Sequence, residues 1–312
     1  MVLGIDTSNY STSAALYDAA TGQWRGVKRL LPVKAGERGL RQSDALFLHN
    51  RQLPEVLDEL FSLDTPQVSA VGVSTAPRDV EGSYMPCFLA GKLAATAAAC
   101  ALGAPLHFCS HQQGHVAAAL FGCGALHLLK TGCYVFHVSG GTTELLWCLD
   151  DGQGGIKITR LAGTMDLNAG QLIDRVGVRL GLPFPAGPQL EKLAEAYREP
   201  VRARAVLKGL NPCLSGFENK AEQMLSSGQS AEKTAKFVLC AVLETVSAMT
   251  AEVFKQHGRY PVVYAGGVMS NRFLKNELQN RFDGLFCEPQ LSADNAVGVA
   301  VLAARKEGSC GR

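Results

Sequence analysis

Two histidines one helical turn apart, His111-Gln112-Gln113-Gly114-His115, are the first residues in this chain whose types and spacing could do chemistry. On an α-helix that spacing puts both imidazoles on one face, where they can share a divalent metal ion. In His-Glu-x-x-His metallopeptidases a glutamate follows the first histidine and acts as the base. Gln112 holds that place here, which speaks against peptide hydrolysis. The competing reading is chance, since an i,i+4 pair can arise at random among 7 histidines. A third ligand would come best from Asp294 in Ser292-Ala293-Asp294-Asn295-Ala296, whose competing role is the N-cap of the last helix. Two histidines and one carboxylate with open positions suit iron(II) or zinc, and spacing alone does not choose between them.

A second chemistry is suggested by Val138-Ser139-Gly140-Gly141-Thr142-Thr143, set between two runs rich in apolar and β-branched residues. Glycines let backbone N–H groups converge on an anion, and the flanking hydroxyls add donors. A plain hairpin turn is an equal reading of the same residues. Further polar landmarks are Asp166, Asp174, Gly187, Glu191 and the turn Gly266-Gly267-Val268-Met269-Ser270-Asn271. That last turn follows a short strand pattern, and ligands in open α/β sheets bind at the C-terminal ends of strands. Singly, each has a bland alternative: a solvated acid, a turn glycine or a first-turn asparagine.

The elements that must position these residues alternate strand and helix, which points to an α/β fold with mixed sheets. Strands are expected at Val2–Thr7, Thr12–Tyr17, Ala70–Ser74, Pro105–Cys109, Cys133–Leu149 (a hairpin), Ile156–Leu161 and Val262–Ala265. Helices are expected at 43–61 with Pro54 kinking or dividing it, and at 86–102, 111–121, 168–180, 188–197, 231–256, 269–282 and 294–306. Between 197 and 231 lies a basic, proline-broken segment with Arg202, Arg204, Lys208 and Pro212. The opening hairpin resembles the one around Gly140, so the chain reads as an internal duplication. The two lobes are placed at 1–107 and 108–312, with the final helix free to pack back on the first.

With 312 residues, 47% of them hydrophobic, the chain can bury sizeable cores. A net charge of +2 makes no global field for nucleic acid, so any RNA contact needs a local patch. The start carries no basic stretch followed by a long apolar run, and the ten cysteines form no C-x-x-C pair. These features predict a soluble, cytoplasmic chain with no membrane partner.

Taken in order, Ser110–His115, Val138–Leu145, Ala169–Asp174, Gly181–Pro188, Leu214–Phe217, Ala265–Arg272 and Ala293–Asn295 resemble the universal family that makes threonylcarbamoyladenosine in tRNA, once described as O-sialoglycoprotein endopeptidases. The resemblance implies the two-lobed actin/Hsp70/sugar-kinase ATPase-like fold, built on a duplicated ribonuclease H-like core. It implies His111, His115 and Asp294 as ligands of one divalent metal, iron or zinc. His137, Val138, Ser139, Gly140, Gly141, Asp174, Gly187, Glu191 and Asn271, together with Gly266 and Gly267, become contacts of an adenine nucleotide or of threonylcarbamoyl-adenylate, and Asp166 the candidate catalytic acid. The implied reaction moves the threonylcarbamoyl group from its adenylate to an adenosine beside the tRNA anticodon. The implied partners are tRNA, a shorter paralogue of the same fold and a small P-loop ATPase. The chain departs from the family pattern at Tyr10, Ser11, Thr142, Leu167 and Gln171, where acidic or imidazole groups are usual. Those departures keep a second reading open, a nucleotide- and metal-binding paralogue without turnover or with altered specificity.

Overall fold

The computed structural model describes residues 1–8, 10–32, 40–288, 291 and 295–310. In chain order its elements begin with Val2–Ser8 (β1), Ser11–Tyr17 (β2), Trp24–Leu30 (β3), Gln42–Phe61 (α1), Ala70–Ala76 (β4), Phe88–Leu102 (α2), Leu106–Ser110 (β5) and His111–Gly122 (α3). Then come Cys133–Val138 (β6), Thr143–Asp150 (β7), Ile156–Gly163 (β8), Ala169–Arg179 (α4), Gly187–Glu195 (α5), Leu207–Lys208 (β9), Asn211–Pro212 (β10) and Ser215–Ser226 (α6). The chain continues through Ala231–His257 (α7), Val262–Ala265 (β11), Arg272–Phe282 (α8) and Leu285–Phe286 (β12) to Ala296–Cys310 (α9).

Two sheets have the same plan. One runs β3-β2-β1-β4-β5 and the other β8-β7-β6-β11-β12. In each, the opening hairpin is antiparallel, and the later strands join its first strand in parallel. The duplication expected from the two hairpin sequences is therefore a duplication of topology.

Two compact units result: Met1–Leu129 with Leu149–Ile158 and Gln290–Arg312, and Lys130–Cys148 with Thr159–Pro289. The first division falls at Leu129 rather than at residue 107, because α3 packs against α9 and so stays with the first unit. Within that unit every residue of β1 is buried, as a central strand covered on both faces requires, whereas edge strand β3 alternates between half-buried and exposed. Gly4 and Gly72, paired across β1 and β4, turn toward α9, where a Cβ on either would strike the helix. The opposite face, with Ile5 and Val73, packs on α1 and α2. Pro54 lies inside α1 without dividing it.

The second unit is built around α7, which packs against α5, α6 and α8. This helix is long and apolar enough to cross a membrane, but 72% of its most apolar window is buried inside the protein, the mark of a core helix. Two local expectations need correction. The single helix expected over 269–282 is split: Gly267–Ser270 is a 3-10 turn, and extended Asn271 caps α8 by accepting from Leu274 N at 3.0 Å. Helix α6 falls in the segment read as broken by Pro212; the proline ends just before it, and Phe217 and Ala221 supply its buried face.

Candidate active site

Strand β5 delivers Ser110 to the start of α3. Ser110 Oγ accepts from Gln113 N at 3.1 Å, and Gln113 Oε1 accepts from Ser110 N at 2.8 Å, a reciprocal cap that fixes the first turn. His111 opens the helix with His115 one turn on, and their Nε2 atoms lie 3.1 Å apart. Two nitrogens on one tetrahedral ion, each at ~2.0–2.1 Å, stand about 3.3 Å apart, so the pair fits a shared divalent metal. Behind His111, Nδ1 lies 3.0 Å from Asp6 Oδ1, and Asn295 Nδ2 donates to the same oxygen at 2.8 Å. Ser74 Oγ donates to it as well. Asn295 Nδ2 also lies 2.7 Å from His111 Nδ1, so a carboxylate and an amide together orient the ring with Nε2 toward His115. Burial pushes the Asp6 carboxyl up, but the His111 imidazole and the hydrogen bonds from His111, Ser74 and Asn295 outweigh it and hold the group below the usual carboxylate range. Gly114 admits Asn295 to this cluster, since a Cβ there would strike the asparagine amide. Asp294 lies outside the described residues, and among those described no three His, Cys, Asp or Glu side chains form a ligand group.

In the second unit, Ser139 N donates to Thr142 O at 2.8 Å to close the glycine turn, and Gly170 N at the start of α4 donates to Ser139 O at 3.2 Å. A Cβ on Gly170 would sit 2.6 Å from Gly140 N and Cα, so glycine is what lets the helix rest on the turn's backbone. Gly140 itself has open space on its Cβ side. A cavity of about 450 Å³ opens there. Gly140, Asp174, Gly187, Glu191, Gly267 and Asn271 line it, all six singled out from the sequence. Asp174 Oδ1 accepts from Ala186 N at 2.8 Å and so holds the turn into α5, while Glu191 Oε1 accepts from Arg272 N at 2.7 Å and ties α5 to α8.

The family model for TsaD, tRNA N6-adenosine threonylcarbamoyltransferase, matches residues 38–301. The chain belongs to this threonylcarbamoyltransferase family. A tRNA N6-adenosine threonylcarbamoyltransferase of Methanopyrus kandleri is 29% identical over 280 residues, covering 84% of this chain and 75% of that protein. One from Thermus thermophilus is 28% identical, covering 98% of this chain and 92% of its own length. Solved structures agree on the fold. A ROK family glucokinase from Streptomyces griseus aligns with a TM-score of 0.52 at 12% identity, over 97% of this chain and 98% of the other. Component A of the Acidaminococcus fermentans (R)-2-hydroxyglutaryl-CoA dehydratase aligns with a TM-score of 0.57 at 15% identity, over 99% and 98%. The threonylcarbamoyltransferase chain thus has the two-lobed, sugar-kinase-type ATPase-like fold.

Not every expected contact of this transferase-family chain reaches the cavity. Val138 is buried in β6, His137 stands opposite Glu144 and Ala265, and Ser139, Gly141 and Gly266 form the backbone behind the turn. At Gly266 a φ of +97° and the close approach of the Val138 backbone both require glycine. Asp166, expected as the catalytic acid, lies outside the cavity lining and holds the start of α6: its carboxylate accepts from Leu214 N (2.8 Å), Ser215 N (3.2 Å) and Ser215 Oγ (2.5 Å), and from the adjacent Leu167 N (2.6 Å). Burial raises its pKa, and those donors, Ser215 first, outweigh that and lower it. Sequence reasoning missed Asp6 and Asn295 beside His111, and Gly170, Ile173, Phe184, Pro185 and Ser270 in the cavity wall. The signal for Gly170 was its place in the first turn of a helix, where a glycine otherwise costs stability. Asp6 carried no signal linking it to a histidine 105 positions away.

Proposed function

We propose that this chain transfers a threonylcarbamoyl group from its adenylate to N6 of an adenosine beside a tRNA anticodon. One observation carries the reading: six residues expected to contact a nucleotide, drawn from α4, α5 and two separate glycine turns, meet around one cavity of about 450 Å³. That volume suits a nucleoside monophosphate. Gly140 and Gly267 leave backbone open to the phosphate, and the carboxylates of Asp174 and Glu191 accept from ribose hydroxyls or the adenine amine. The His111–His115 pair would hold one divalent metal, iron or zinc, which when bound supplies a Lewis acid. Asp6 braces the His111 ring at Nδ1, and Ser110 and Gln113 hold the first turn of α3 in place. In the transfer, adenosine N6 forms a bond to the carbamoyl carbon as the bond from that carbon to the phosphate oxygen breaks. AMP leaves with the bonding pair, and N6 gives one proton to solvent.

The reaction is assigned to the cytoplasm, with a shorter paralogue of the same fold and a small P-loop ATPase as partners and no membrane. Incubating the protein with tRNA, threonylcarbamoyl-adenylate, a divalent metal and these partners should yield modified nucleoside by mass spectrometry, and His111→Ala should abolish it. Adenylate binding with no product under any partner combination would sink the transfer reading and favour the non-catalytic paralogue suggested by Thr142 and Leu167.

A further inference from the structure

From Val201 into β9 burial alternates residue by residue, the period of an extended chain. Val201, Ala203 and Leu207 pack on the core of the second unit, while Arg202, Arg204 and Lys208 face outward. At ~3.3 Å per residue an extended chain spaces every second side chain by about 6.6 Å on one face, so Arg202 and Arg204 form the start of a cationic ladder. Arg202 also lines a separate cavity of about 440 Å³, whose far wall is one face of α6 (Lys220, Gln223, Met224, Ser227) and the first turns of α7 (Lys233, Phe237). Among the described residues no carboxylate pairs with Arg202, Lys220 or Lys233; Lys220 and Lys233 bond instead to the neutral Gln223 and Gln229. Of the acids around it, Glu222 pairs with Arg179, Glu232 is held by its own helix start, and Glu199 forms no ion pair with Arg202 among the described residues. The partially positive N-terminus of α7, capped by Ser230, adds to the same field.

We propose that this cavity and the ladder leading from it bind the phosphodiester backbone of the tRNA, as a site separate from the adenylate cavity. The inference rests on the reading of tRNA as substrate. Three cations without counterions, amide donors beside them and a further exposed Arg204 and Lys208 suit a run of phosphates better than a single anion. None of these residues lines the adenylate cavity, so their loss leaves that cavity intact.

The test is a variant with Arg202→Gln, Lys220→Gln and Lys233→Gln, titrated with fluorescent tRNA across a range of salt. Each lost phosphate contact lowers the log–log salt slope by ~0.7, so the slope falls by about 2, with a tenfold or greater loss of affinity near 0.1 M salt. AMP affinity stays at the wild-type value, which shows that the variant is folded. A control with Arg41→Gln, Arg51→Gln and Lys255→Gln keeps the wild-type slope. The proposal is overturned if the first variant keeps the wild-type slope, if the control loses as much, if the wild type does not bind tRNA, or if polyglutamate displaces tRNA as well as polyuridylate does. A protein that loses tRNA binding in the variant but makes no modified nucleoside refutes the transfer reading and leaves this site standing. Modified nucleoside formed with an unchanged slope does the reverse.

Discussion

The contact between the glycine turn and α4 predicts opposite behaviour for two neighbouring glycines. In Gly170→Ala the new methyl would lie 2.6 Å from Gly140 N, Gly140 Cα and Ser139 O, all backbone. Carbon contacts settle near ~3.5–4.0 Å, so helix and turn must part by about 1 Å. Overpacking of that kind costs ~1–3 kcal/mol. For a domain of this size ~2 kcal/mol corresponds to a fall of about 4–8 °C in melting temperature. The displaced Gly140 lines the cavity proposed for the adenylate, so AMP affinity should fall too. Gly140→Ala differs because its Cβ meets nothing within 4 Å and its φ is not positive, so the fold accepts it. Its methyl projects into the space a phosphate would use, and AMP binding should weaken about tenfold, ~1.4 kcal/mol, with an unchanged melting temperature. Calorimetric melts and AMP titrations on both variants decide the matter. A Gly170→Ala protein that melts with the wild type, or a Gly140→Ala protein that loses stability but not affinity, would refute the reasoning.

Asp166→Ala should lower stability by ~0.5–2 kcal/mol at neutral pH, the range for a lost helix cap, without changing AMP affinity. Because the folded-state pKa of Asp166 is lowered, its contribution is present above the unfolded carboxylate pKa and is lost as pH falls through the folded value. Denaturant midpoints of variant and wild type should therefore converge in acid; a gap that widens there contradicts the capping role. Asp6→Asn should weaken binding of cobalt(II), a spectroscopic stand-in, by ~10–100-fold through loss of the carboxylate behind His111. Equal cobalt affinity in the two proteins would remove Asp6 from the metal site.

Much of the architecture was legible because it is written in short-range pattern. The hairpins at Gly4–Asp18 and Cys133–Asp150 look alike in sequence, and each opens a sheet of the same strand order. The His111–His115 pair follows from helical period alone, and the cavity glycines from strand–turn–helix junctions. Where reading failed, a neighbour distant in sequence had supplied the decisive contact. Helix α6 was hidden by Pro212, yet its first turn is held by Asp166, which lies 49 residues before Ser215. Asp166 looked like an available acid because three of its donors come from that distant turn.

From the sequence alone, then, come the α/β class, the duplication, the imidazole pair and the glycine turns, since each depends on residues within a few positions of one another. The tertiary structure decided which partners each acid meets. Asp6 reaches His111 only because α3 packs against β4, the strand paired with β1, and Asp174 and Glu191 share a wall only because α4 and α5 pack side by side. Periodicity places a side chain on a face of its own element; what that face meets is set by packing over long sequence separations, which no local pattern encodes.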